Sequence, residues 1–149
     1  MKIIHPRTLC IASAIIIDNN ERILLVRKKN TLWYMQAGGK IDTGETALQT
    51  VCRELHEELD VDVPEEDLLP LGTFTAVAAN EAQTLIKADL FFLCLQQPVR
   101  ANAEIAEVIW VTLKEAQDLP LAPLTRDYVL PLVANDQALM RNFVKAPKT

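Results

Sequence analysis

Glycine is scarce in this chain. Its 149 residues include four, where average usage would give about ten. Three of the four, Gly38, Gly39 and Gly44, fall within seven residues, so one short segment needs backbone shapes or close approaches that side chains forbid. Cysteine is sparse too. Cys10, Cys52 and Cys94 are far apart, sit among apolar residues and form no C-x-x-C pair, which excludes a disulfide framework or thiolate zinc site and makes a reducing, cytoplasmic setting the default. No apolar run reaches the ~18 residues a membrane helix needs. Leu9 to Ile17 invites a signal-peptide reading, with Pro6 and Arg7 before it. It is rich in isoleucine, however, and ends on Asp18-Asn19-Asn20-Glu21 before a second apolar run, Ile23 to Val26, so the pair reads as a hairpin. Basic charge is also short: 15 Lys and Arg against 20 Asp and Glu leave a net charge of −5, which argues against gripping a nucleic-acid backbone.

What is present is a chain with 50% apolar residues, enough to exclude disorder and to bury a core without metal or disulfide support. Residues 1–149 read as one domain. Strands are expected over 8–17 and 22–27, with a short one over 33–35 leading into a glycine loop. A helix over 47–59 follows, closed off by Pro64, and a polar link, Glu65-Glu66-Asp67, leads on. Strands over 69–78 and 85–95 flank a loop at 79–84. An irregular acidic segment then runs to about 107, before a strand over 108–112 and a short helix over 113–118. A last helix opens near Thr125, and Pro131 should kink or stop it. Strands and helices interleave without a regular βαβ period. The expected class is α/β in the broad sense (α+β), a mixed sheet with helices packed on it.

Half of the acidic residues lie between Asp42 and Asp67, with Arg53 as the only Lys or Arg there. Thr46 and Gln49 fit a capping box at the start of the 47–59 helix. At ~100° per residue, with Glu54 as zero, Leu48, Val51, Cys52, Leu55 and Leu59 fall between roughly 60° and 160° and form the core stripe. Glu54, Glu57 and Glu58 share a separate arc of about 100°. Like charges at i,i+3 and i,i+4 repel, as does negative charge at a helix C-terminus. A solvated acidic face is the plain alternative, but no lysine four residues on relieves this one. Clustered carboxylates suit a hard divalent ion such as Mg²⁺, Mn²⁺ or Ca²⁺.

Written out, the segment is Gly39-x5-Glu45-x7-Arg53-Glu54-Leu55-x-Glu57-Glu58-x-Asp60-Val61. It closely resembles the Nudix box of the Nudix hydrolases, G-x5-E-x7-R-E-U-x-E-E-x-G-U with U aliphatic, and covers 23 residues of the chain. Asp60 stands where the family has Gly, at a helix end expected to be left-handed, a region Asp tolerates. Ala37 stands where many members have Pro. The resemblance implies a Nudix-type α/β/α sandwich with a mixed β-sheet. It also implies hydrolysis of the pyrophosphate linkage in a nucleoside diphosphate derivative, by water attack at phosphorus with Mg²⁺ or Mn²⁺. By position, Glu57 and Glu58 ligate metal, and Glu54 is a ligand or orients water. Arg53 pairs with Glu45 or a helix carboxylate and fixes rotamers. Gly38, Gly39 and Lys40 form the loop beside the phosphates. Glu104, before the Trp110 strand, is the better candidate for a further ligand or general base and Glu107 the runner-up; plain solvation is the alternative for each. Arg27 and Lys28 are candidates for phosphate oxygens or for surface solvation.

Trp33 and Tyr34 could stack on a base or pack in the core, Trp110 reads as core, and His5 and His56 carry no assigned role. Subgroup markers for ADP-ribose, dinucleoside polyphosphates and coenzyme A are not evident. The short chain is similar to the MutT-like branch, which favours a nucleoside triphosphate, including an oxidised or non-standard one, with ADP-ribose or a nucleotide sugar next. Two other classes are a non-catalytic nucleotide-sensing module, which typically loses box carboxylates that are kept here, and an isoprenoid diphosphate isomerase, which needs a catalytic cysteine. The partner expected is a small-molecule nucleotide, with no nucleic acid and no membrane; a homodimer is compatible with the chain.

Overall fold

The computed structural model describes residues 7–79 and 81–135. His5, Pro6 and Asn80 lie outside the described residues. Seven strands form one mixed sheet: β1 (Arg7–Ile17), β2 (Ile23–Lys28), β3 (Tyr34–Met35), β4 (Ala37–Lys40), β5 (Leu69–Val77), β6 (Thr84–Cys94) and β7 (Ile105–Val111). The helices are α1 (Ala47–Leu59), α2 (Leu113–Ala116) and α3 (Leu130–Asn135). Among the described residues no helix is long and apolar enough to cross a membrane.

β1 is the spine because both of its faces are apolar. Ala12, Ala14 and Ile16 join Val51, Leu55 and Leu59 of α1 in one core. Ile15 and Ile17 join Leu124, Val129 and Val133 of the C-terminal segment in a second. The period of two along a strand thus sends alternate residues to opposite layers, and the result is the expected sandwich with the sheet between helices. β1 runs parallel to β6 along its whole length, from Arg7↔Thr84 to Ile17↔Cys94. Its other edge is shared. β4 takes Ile11 to Ala14, and β2 takes only Ile17, opposite Ile23. The hairpin expected from sequence therefore survives only at its turn. There the Asp18 carboxylate accepts from the Asn20 and Arg22 backbone N–H groups, both at 2.9 Å. β2 then leaves β1 and pairs with β7 and β3.

Four further expectations change. The glycine loop is a strand. β4 pairs antiparallel with β1, with Gly38 opposite Ser13 and Gly39 opposite Ala12. β7 begins at Ile105, earlier than the sequence suggests, because its acidic residues find cross-strand partners; Glu107 lies opposite Arg27. Glu65–Asp67 is a 3₁₀ turn rather than a plain link. Pro131 does not end the last helix. The chain opens into a wide π turn over Thr125–Val129, where the Leu130 N–H reaches the Thr125 carbonyl, and α3 then carries Pro131 in its first turn.

Candidate active site

Helix α1 is fixed at both ends by its own sequence. Thr46 Oγ1 accepts from the Gln49 N–H at 3.0 Å, and Gln49 Oε1 accepts from the Thr46 N–H at 2.9 Å. At the other end Asp60 adopts φ 56°, ψ 44°, the left-handed shape expected of it, and its N–H reaches the His56 carbonyl. Backbone N–H groups of Arg100 and Asn102 take the Leu59 and Glu58 carbonyls at 3.1 and 3.0 Å. This docks the loop before β7 onto the end of α1 and brings Glu104 close enough for its charge to be felt by Glu58.

The carboxylates of the box meet two different fates. Arg53 gathers one set. Its guanidinium donates to Glu45 at 2.7 and 3.0 Å, to Glu54 at 2.9 Å and to both Glu57 oxygens at 3.4 Å. It also reaches the Lys40 carbonyl at 3.3 Å, tying α1 to β4. Thr50 Oγ1 adds a 2.7 Å bond to Glu45. These donors, Arg53 first, hold the Glu45 carboxyl at about 2, and the same contacts raise the Arg53 pKa further above its ordinary value.

Glu58 is the opposite case. It is 1% exposed. Its Oε1 accepts a 3.0 Å bond from the Gly38 N–H, while its Oε2 is buried with no hydrogen-bond partner. Burial pushes its pKa up to about 8, against the Gly38 bond and with help from the Glu54 charge. Burial likewise raises Glu54, with Arg53 opposing. Two adjacent carboxyls raised by burial, Glu54 held by Arg53 and Glu58 with an orphan oxygen, make an oxygen donor set that fits a hard divalent cation. Among the described residues no three acidic, imidazole or thiol groups stand converged at ligating distance. Arg53 draws the Glu54 and Glu57 side chains to itself, and the inward Glu58 faces β4.

β4 is the partition of the site, and glycine makes it thin. A Cβ on Gly39 would stand 2.6 Å from the Glu54 carboxylate, and one on Gly38 2.2 Å from the Ala12 carbonyl oxygen. Gly38 and Gly39 are needed because backbone packs here against backbone and against carboxylate, whereas Gly44 meets nothing and is needed for its φ of 83°. On the far side of β4 a cleft opens on the β1 face that carries Leu9, Ile11 and Ser13. Gly38, Gly39, Lys40 and Lys28 line it, together with Met35, Gln36 and, from the C-terminal segment, Leu124 and Thr125.

The sequence-derived candidates separate accordingly. Glu54, Glu57, Glu58 and Arg53 share one face of α1, and Gly38, Gly39 and Lys40 lie on β4. Glu104 is exposed, 3.8 Å from Lys28 Nζ. Arg27 is not on the cleft. Its Nε donates to Glu107 at 3.1 Å and its Nη1 to the Thr31 carbonyl at 2.9 Å, so these two acceptors take up its guanidinium. Tyr34 Oη donates to the same Glu107 oxygen at 2.6 Å, so Glu107 is held low by Tyr34 and Arg27 as a structural anchor. Trp110 packs against the α1-side core, as expected. Sequence reasoning passed over Gln36 and Thr125, whose only signal was a polar residue inside an apolar stretch.

Comparison with known proteins agrees with this geometry. The NUDIX domain profile matches residues 9–133. A Bacillus subtilis (strain 168) protein named Uncharacterized Nudix hydrolase YvcI is 24% identical over 111 residues, 72% of this chain and 69% of that protein. The crystal structure of the MutT protein from Methanosarcina mazei Go1 superposes with a TM-score of 0.70 at 18% identity, covering 91% of this chain and 99% of that one. A bifunctional NMN adenylyltransferase/ADP ribose pyrophosphatase from Francisella tularensis, complexed with AMP and a Mn ion, superposes at 0.66 with 19% identity, over 87% of this chain and 42% of that one. With Glu54, Glu57 and Glu58 of the box kept on α1 and the profile spanning residues 9–133, the chain belongs to the Nudix family, as a pyrophosphohydrolase.

Proposed function

We propose that this enzyme hydrolyses the pyrophosphate linkage of a nucleoside triphosphate, by water attack at phosphorus, using Mg²⁺ or Mn²⁺. The observation that carries the reading is Glu58: a carboxyl 1% exposed, with an orphan oxygen, inside a box that keeps all its carboxylates. Glu54, Glu57 and Glu58 would hold the ion. When bound, it neutralises phosphate oxygens and lowers the pKa of the attacking water.

The chain's own residues supply the rest. Arg53 sets the Glu54 and Glu57 side chains and ties them to the Lys40 carbonyl. Gly38 and Gly39 let the phosphate chain lie against the β4 backbone. Lys28 and Lys40 line the cleft and supply positive charge toward the phosphates, Lys28 taking the role for which Arg27 was also a candidate. Glu104, exposed and close to Lys28, accepts the proton of the attacking water. The base then occupies the cleft on the other side of β4. One Nudix domain over 1–149 and a reducing cytoplasm fit the free Cys10, Cys52 and Cys94.

ADP-ribose or a nucleotide sugar is the second reading, favoured by the Francisella tularensis ADP ribose pyrophosphatase, whose structure holds AMP. The test is a Mg²⁺ and Mn²⁺ assay over nucleoside triphosphates, oxidised nucleotides, ADP-ribose and nucleotide sugars, with products identified. Release of pyrophosphate and a nucleoside monophosphate supports the first reading. Cleavage of ADP-ribose alone supports the second. Metal-dependent binding with no turnover by any of them supports a sensing module instead.

A further inference from the structure

The cleft wall holds a polar pair that the hydrolytic chemistry leaves unused. Gln36 is 5% exposed, and its Oε1 accepts a 3.0 Å hydrogen bond from Thr125 Oγ1. Its Nε2 is buried and has no hydrogen-bond partner among the described residues. Both side chains line the cleft. A buried amide donor without an acceptor is costly, and such groups in native proteins call for an explanation.

A second observation concerns Thr125. It is fully buried at the head of the π turn Thr125–Val129. Wide turns of this kind occur often at functional sites, and here the turn sets the hydroxyl that orients the amide. Thr125 fixes the Gln36 oxygen through one of its lone pairs, and both N–H groups of Nε2 are left to offer. Leu9, Ile11 and Ile86 from the sheet and Leu124 from the C-terminal segment supply apolar wall, and Ser13, Lys28, Lys40 and Glu81 also line the cleft. Apolar wall beside an oriented donor suits a flat ring carrying an oxygen acceptor.

Purines differ on just this point. A 6-oxopurine presents two acceptors, O6 and N7, on one edge, whereas adenine presents N7 beside an amino donor. Adenine would set its own N–H₂ against that of Gln36. We propose that Gln36, braced by Thr125, is a specificity-determining residue whose Nε2 donates to the 6-oxo group of the substrate base, so that the cleft selects guanine and hypoxanthine over adenine. The amide lies flush in the wall, and a side-chain adjustment of the kind common on binding brings it to the ring edge. The inference rests on the nucleotide reading and adds which edge of the base is read.

The test compares ITP and GTP with ATP, since ITP differs from ATP only at the 6-position and the N1 proton that goes with it. Wild-type kcat/KM with Mg²⁺ should favour ITP and GTP over ATP by about 100-fold, within the range a hydrogen-bonding site achieves. Gln36→Leu should remove most of that preference, chiefly by lowering ITP turnover. Thr125→Val, which frees the amide to turn, should reduce the preference by about tenfold. Calorimetric binding of IMP and AMP without metal asks the same question without turnover, and IMP should bind more tightly to the wild type only. Equal ITP and ATP turnover by the wild type, or an unchanged ratio in a folded Gln36→Leu, overturns the proposal. Should that variant fail to fold in thermal unfolding, Thr125→Val carries the comparison, and an unchanged ratio there overturns it equally. If no triphosphate is hydrolysed, the triphosphate reading fails by itself, and IMP binding no tighter than AMP overturns the role of Gln36 independently.

Discussion

Two pairs of glutamates in this molecule stand in opposite condition. Glu45 and Glu107 each have an arginine and a hydroxyl: Arg53 with Thr50, and Arg27 with Tyr34. Both carboxyls are held below their ordinary range. Glu54 and Glu58 are raised by burial, and Glu58 keeps one oxygen with no partner. The contrast shows that acidity in the sequence is not one property. Where the fold supplies cations and hydroxyls, a glutamate braces strands and loops. Where burial outweighs the partners, as at Glu58 with the Gly38 N–H and at Glu54 with Arg53, the carboxyl is raised instead.

Substitutions can break that contrast in order of expected size. Glu58→Gln should lower Mg²⁺-dependent hydrolysis by roughly two to four orders of magnitude while thermal unfolding shows the fold intact. Wild-type turnover in this variant would remove Glu58 from the metal site. Glu104→Gln comes next, with kcat down by roughly 100-fold if Glu104 accepts the proton. A change of less than about threefold would leave it a solvated residue. Arg53→Lys keeps the charge but loses the fork that joins Glu45 to Glu54, so activity measured by kcat/KM should fall by roughly 10- to 100-fold. Glu107→Gln should be smallest, within about threefold in kcat/KM, because its partners hold strands rather than substrate.

The pairs also differ in how pH acts on them. Glu45 has a folded pKa of about 2 against an ordinary value of 4.5, so its contribution to stability is present above 4.5 and is lost as pH falls toward 2. Glu58 runs the other way. Its folded value of about 8 lies above 4.5, so its contribution to metal-free stability is full below 4.5 and is lost as pH rises through 8. Thermal unfolding in a chelator across this span should show the decline, and Glu58→Gln should flatten it.

Much of this was legible in the sequence, for physical reasons. The alternation in β1 and the stripe on α1 are periodicities that burial enforces, and the Thr46–Gln49 box and Asp60 mark helix ends by local chemistry. Carboxylate spacing put Glu54, Glu57 and Glu58 on one face because a helix fixes that geometry. What escaped depends on contacts distant in sequence. β4 reads as a loop until β1 supplies its partner. Arg27 and Lys28 look alike until Glu107, opposite Arg27, and Glu104, near Lys28, give them different neighbours. The Gln36–Thr125 pair spans 89 positions and leaves no local pattern.

The central claim is that Glu58 waits for a cation, and proton release tests it most directly. At pH 7 a carboxyl with a pKa of about 8 is mostly protonated, and metal ligation requires its ionised form. Calorimetric titration of Mg²⁺ in buffers of differing ionisation enthalpy should therefore show about one proton released per site, and Glu58→Gln should abolish the release and weaken binding. Tight Mg²⁺ binding with no proton released, unchanged in Glu58→Gln, would contradict the account.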